Sequence, residues 1–104
     1  MTNYYNIMTI NSTKYWNSNK IIKFLNDTNK FTYDDKGCFK CKNEYCIISI
    51  VYTNDFNSFL MPNDFDSNKT NYIDIITSCD LSIELMNLLN SLAQYLGAEL
   101  EEED

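Results

Sequence analysis

The chain has 104 residues, with eight Lys, no Arg, no His and fifteen acidic residues, giving a net charge of −7 at pH 7 and a pI near 4.3. That length supports one domain with a modest core, because a chain of this size buries about 65% of its unfolded surface. With 44% apolar and 14% aromatic residues against two Gly and one Pro, it is composed as a folded domain, while the lack of His removes the commonest general base and metal ligand and excludes most hydrolase constellations.

From Tyr4 to Ile10, polar and apolar residues alternate loosely, which predicts a strand with partial cover on both faces. Asn17 or Ser18 then offers an N-cap for a helix through Ile21, Ile22, Phe24 and Leu25, ending near Asn26 or Asp27. With Asn17 as the cap, Trp16 and Ile21 occupy the positions of a hydrophobic staple. Lys30 to Tyr33, Gly37 to Cys41 and Glu44 to Thr53 read as a three-stranded meander of aromatic and Ile-rich runs separated by turn residues. Gly37 supplies a positive φ in the first turn, and Lys42 and Asn43 make the second. The run from Ile47 to Tyr52 is almost continuously apolar, as expected of a strand in the middle of a sheet or covered on both faces.

The segment from Asn54 to Asn71 is polar, contains Pro62, and repeats the pattern Asn-Asp-Phe at Asn54 and Asn63, which reads as two Asx-type turns each placing one Phe. Tyr72 to Thr77 alternates as a further strand. The last helix is the clearest element: Asp80 is a suitable N-cap, Leu81, Leu85, Leu88, Leu89, Leu92 and Leu96 form one stripe, and Gly97 stands where a C′ glycine belongs. Residues 99–104 form an acidic tail beyond a single domain spanning residues 1–98. The tail lies at the unfavourable end of the helix dipole and is expected to be solvated, with Ala98 and Leu100 able to fold back on the sheet. The order β-α-β-β-β-β-α predicts an α+β two-layer sandwich, a mainly antiparallel sheet of about five strands under two helices.

Charge divides the chain. Residues 14–42 hold seven Lys against three Asp, net +4, whereas from Asp55 onward eleven acids face Lys69 alone, net −10. Folding is expected to neutralise part of this by bringing the halves within about two Debye lengths. The acidic surplus disfavours direct contact with nucleic acid or a membrane surface and favours a basic protein partner. The first thirty residues show no basic segment followed by an apolar one, and no apolar run approaches the ~20 residues of a membrane span, so a cytoplasmic protein is expected. Cys38, Cys41, Cys46 and Cys79 then read as reduced thiols. Fifteen Asn and eleven Ile to one Val indicate an AT-rich gene.

Few motifs carry chemistry. Cys38-x-x-Cys41 has a zinc or redox spacing, but a strand points the two thiols to opposite faces. Asp64-x-Asp66-x-Asn68 opens like a calcium loop, yet Lys69 replaces its glycine and Ile75 its bidentate Glu. No metal, cofactor or catalytic residue is expected, and the chain reads as a non-enzyme. The remaining signal is a surface one: Asp55, Phe56, Phe59, Asp64, Phe65 and Asp66 mix aromatic anchors with carboxylates in one loop, and Asp74 follows on the next strand. These seven residues form the candidate partner-binding site. The functional expectation is a small acidic immunity protein that binds and neutralises a cognate bacterial toxin, with a basic nuclease as the leading target. The alternatives are a phage-encoded inhibitor or DNA mimic acting on a host defence complex, and a thiol or zinc protein using Cys38 and Cys41.

Overall fold

The computed structural model describes residues 1–56 and 65–103. The elements are β1 (Thr2–Met8), α1 (Ser18–Asp27), β2 (Phe31–Tyr33), β3 (Cys38–Cys41), β4 (Cys46–Val51), β5 (Tyr72–Ser78), α2 (Ile83–Tyr95) and β6 (Glu101–Glu103). One antiparallel sheet in the order β2-β3-β4-β5-β1-β6 carries both helices on a single face, an α+β sandwich as expected from the pattern.

Period-2 alternation decides which face is covered. Tyr5 and Ile7 of β1 stand opposite Ile75 and Ile73 of β5, which in turn face Ile48 and Ile50 of β4, and all six are buried. Ile21 and Leu25 of α1 and Leu85, Leu89, Leu92 and Ala93 of α2 close over them. Beyond the helices, Phe31, Tyr33 and Phe39 fill the meander end, with the Tyr33 and Phe39 rings stacked at 4.3 Å. The apolar run in β4 is therefore central in the sheet, its burial alternating from Cys46 to Ile50 and breaking at Val51, which is buried on the other side.

Local signals set the helix ends. Asn17 caps α1, its side chain accepting from Asn19 N–H, and the Trp16 indole N–H donates to the Leu96 carbonyl, tying the start of α1 to the end of α2. At the far end of α2, Gly97 takes φ +70°, Gly97 N–H donates to Gln94 O and Ala98 N–H to Ala93 O, the paired bonds of a Schellman motif. Ser82, not Asp80, caps the start of α2. Its hydroxyl accepts from Leu85 N–H while donating to Glu44 Oε2, and Ser82 N–H donates to Glu44 Oε1. A carboxylate from the β3–β4 turn thus lies at the helix N-terminus, and that long-range contact places the cap two residues later than the local pattern suggests. These two Ser82 bonds hold the Glu44 carboxyl below its ordinary value.

Residues 101–103 are not a free tail: they pair with Tyr4, Tyr5 and Asn6 as the sixth strand, with Glu101 and Glu102 still exposed to solvent. The basic and acidic parts meet in part, as Lys30 of the basic segment pairs with Glu84 of the acidic one, while the sheet order places β2 and β3, with Lys36, Lys40 and Lys42, at one edge and β6 at the other. Five strand spacings separate those edges by about 24 Å, beyond two Debye lengths at physiological salt. Among the described residues the ion pairs are Lys30–Glu84 and the exposed helical pair Lys23–Asp27.

Candidate partner-binding face

Among the described residues no helix covers the other side of the sheet, although Asn6 and Val51 on it are buried. Along one cross-strand row lie Glu103, Tyr4, Ile76, Ile47 and Lys40; along the next lie Glu101, Asn6, Asp74, Ser49 and Cys38; Met8, Tyr72 and Val51 complete a third. Each row runs from β1 or β6 toward the meander, so acidic charge collects at one end of the face. Tyr4 is 45% exposed, whereas Tyr72, Asp74 and Ile76 are half-buried.

Hydrogen bonds organise the acidic end. Glu103 Oε1 accepts from Asn6 Nδ2 at 2.9 Å and from the Tyr72 hydroxyl at 2.8 Å. Burial pushes the Tyr72 phenol well above its usual range, and Glu103 adds to the effect. Burial likewise raises the Asp74 carboxyl above the ordinary aspartate value, with the negative charge of Glu103 as a further cause. Asn6 is only 6% exposed, and its Oδ1 has no hydrogen-bond partner among the described residues. Such an orphaned acceptor costs about 1–3 kcal/mol.

The structure divides the residues proposed from sequence. Asp74 lies in the middle of this face, and half-buried Phe56 joins it by packing its ring 5.9 Å from that of Tyr72, with exposed Asp55 beside it. Phe65 and Asp66 are employed elsewhere. Phe65 packs on the core over Gly37, where an added Cβ would lie 2.5 Å from its ring, at a residue with φ +87°. Asp66 Oδ1 accepts from Asn68 N–H and Lys69 N–H in an Asx turn that begins after Phe65, and its carbonyl accepts from the Ser18 hydroxyl. The two described ends of the 54–71 segment thus dock in different places. Phe59 and Asp64 lie outside the described residues.

Sequence reasoning missed Asn6, Tyr72, Glu101 and Glu103. Tyr72 was within reach, standing two residues from Asp74 and hence on the same face of a predicted strand. The others come from the two ends of the chain, and no local signal joins them.

A groove of about 680 Å³ adjoins this edge, lined by Met8, Ile10, Tyr15, Trp16, Phe56 and Leu96 with Lys14, Glu99 and Glu101 among its polar residues. Ile10 is 91% exposed beside it. Across the sheet, Cys38 pairs with Ser49 on the open face and Cys41 with Phe31 on the helix side, so the two thiols point apart. All four cysteines are free, and burial pushes the Cys46 thiol up to about 12. Among the described residues no three Cys, Asp or Glu side chains are placed to hold a metal ion, and no helix is long and apolar enough to cross a membrane. No family model, curated protein or solved structure matches the chain.

Proposed function

We propose that this chain is a non-catalytic binding protein, an immunity protein that neutralises a cognate bacterial toxin, with a basic nuclease as the target. The observation that carries the reading is the sheet face away from the helices, where Asp74, Glu101 and Glu103 lie among Tyr4, Tyr72 and Phe56 with no helix over them among the described residues. Aromatic residues beside carboxylates provide anchoring area and a charged surround. A nuclease is positive where it holds phosphate, so an acidic face steers onto that site and occludes it. The adjoining groove, with apolar walls and Glu99 and Glu101 nearby, extends the contact area around the β1 edge. Four free thiols agree with action in the cytoplasm of the producing cell.

The test is capture of the protein encoded by the neighbouring gene, followed by assay of that protein's toxicity or nuclease activity. The chain is expected to bind it and abolish activity, with affinity falling as salt rises. Paired reversal Asp74→Lys and Glu101→Lys is expected to weaken binding at least a hundredfold, about 3 kcal/mol. Unchanged affinity after that reversal refutes the acidic face as the interface. Capture of a nucleic-acid-binding defence complex instead would reassign the same face to a phage-type inhibitor.

A further inference from the structure

The hairpin of β3 and β4 carries a pair of thiols that the Cys38-x-x-Cys41 spacing does not reveal. The register that sets Cys38 against Ser49, Phe39 against Ile48 and Lys40 against Ile47 brings Cys41 and Cys46 opposite each other at the next step, across the turn of residues 42–45. Both side chains belong to the apolar cluster on the helix side. Ile50 N–H donates to Gly37 O at the start of the same pairing, so steps of two put Cys41 and Cys46 at a hydrogen-bonded position, where Cα atoms stand about 5.5 Å apart. Disulfides span about 4.4–6.8 Å between Cα atoms. Opposed Cβ atoms start about 4.5–5.5 Å apart, so closing the bond draws them in by about 1 Å at the turn end of the hairpin. The two thiols differ in access. Cys41 is half-buried and lines a cavity of about 200 Å³ with Lys30, Asn43, Glu44, Ser82 and Leu85, whereas Cys46 is 1% exposed. Burial first, then Cys41 and Glu44 beside it, push the Cys46 thiol up to about 12.

We propose that Cys41 and Cys46 form a dithiol site that a hydroperoxide converts to a disulfide, with Cys41 as the attacking group and Cys46 as the resolving one. In the first step the Cys41 thiolate attacks a peroxide oxygen: an S–O bond forms, the O–O bond breaks, and the released oxyanion takes up a proton, leaving Cys41 as the sulfenic acid. In the second, Cys46 Sγ gives up its proton and attacks Cys41 Sγ; the S–S bond forms, the S–O bond breaks and water leaves. The peroxide gains two electrons and the two thiols together lose two. Burial keeps external reagents from Cys46 in the folded chain, so an oxidised Cys41 is the group it meets, and adjacency supplies the effective concentration that compensates for its raised thiol. Cys38 does not compete, because it lies opposite Ser49 on the other face, and Cys79 lies beyond β5 against Asn3. The turn between the two cysteines carries Glu44, whose carboxylate holds Ser82 at the start of α2, so the disulfide pins the turn that caps that helix. This inference is independent of the binding reading, since it uses neither the acidic sheet face nor a partner protein.

The experiment treats the folded full chain, carrying Cys79→Ser to prevent cross-linking between copies, with a small excess of hydrogen peroxide. Catalase then removes the peroxide, iodoacetamide in urea blocks the remaining thiols, and mass spectrometry maps the products. Trypsin cuts after Lys40 and Lys42 and so puts Cys38, Cys41 and Cys46 on separate peptides. The expected product is a peptide pair joined through Cys41 and Cys46, about 2 Da lighter than the two reduced peptides together and separated by dithiothreitol. Cys46→Ala is expected to lose the cross-link and stop at a dimedone-reactive Cys41, and Cys41→Ser to leave Cys46 reduced. Near-UV circular dichroism checks that each variant stays folded, and the product of the Cys79→Ser chain decides alone where one does not. An unreacted Cys41, a Cys41 carried to sulfinic or sulfonic acid with Cys46 still alkylated, a bond through Cys38, or a Cys41–Cys46 bond that forms only when the peroxide is added in urea overturns the proposal.

Discussion

Along β5, Ile73, Ile75 and Thr77 are buried under the helices, while Tyr72, Asp74, Ile76 and Ser78, one residue out of step, are half-buried on the open side. The covered residues meet aliphatic and aromatic side chains from both helices and the meander. The open ones meet tyrosines, an amide and carboxylates carried by β1 and β6. A sheet needs only one apolar layer to fold, so the covered face serves stability, and the second face is free to hold groups that cost stability, such as the orphaned Asn6 Oδ1 and the half-buried Asp74.

The sharpest way to break this contrast is to truncate an isoleucine on each side of the same strand. Ile73→Ala is expected to cost about 3–4 kcal/mol by urea unfolding, because it leaves a cavity in a fully buried site, whereas Ile76→Ala is expected to cost about 1 kcal/mol or less. Equal losses would mean that the open face is a second core. Deleting residues 101–104 removes three ladder pairs and both acceptor contacts of Glu103, and is expected to cost about 1–2 kcal/mol while leaving the helix-covered core folded, as read by near-UV circular dichroism.

Thiol chemistry separates the faces without mutation. Exposed Cys79 is expected to react with a disulfide reagent within seconds to minutes and half-buried Cys38 more slowly, while Cys46, buried with its thiol pushed up to about 12, is expected to react only as the protein unfolds. Mass spectrometry of partly labelled protein would show the order.

The smallest effect belongs to Asp74. Its carboxyl is raised in the folded chain, so between the ordinary aspartate value and the folded value the native state holds the proton more tightly than the unfolded chain does. Stability from this group accordingly falls as pH rises through that window. Asp74→Asn is expected to melt higher than the parent at pH 7, with the difference closing as pH approaches 4. Glu44 works in the opposite sense: its carboxyl is lowered by the Ser82 bonds, so its contribution is complete above its ordinary value of 4.5 and is lost as pH falls through the lowered one. Melting curves of Asp74→Asn and Glu44→Gln against pH should therefore diverge from the parent in opposite directions at neutral pH.

Particular residues show what local reasoning can reach. Asn17, Gly37 and Gly97 were legible because a cap or a positive φ is a requirement of the immediate backbone. The α2 cap was not, since Asp80 and Ser82 are both good caps and Glu44 made the choice from 38 residues away. Three consecutive glutamates have little strand propensity, and β6 forms because β1 offers it an unpaired edge. Of the proposed interface, Asp74 and Phe56 arrive together, while Phe65 and Asp66 are drawn to Gly37 and Ser18, contacts that loop composition does not encode.

By itself the sequence determined the alternation in each strand, the stripe on each helix, and so the division of residues between a dry layer and an open one, because periods of 2 and 3.6 residues are local properties of the backbone. Only the tertiary structure decided the strand order. It brought Asn6 to Glu103 across 97 residues and placed the basic meander at the opposite edge, because pairing between distant strands is settled by which edges remain open after the local elements have formed.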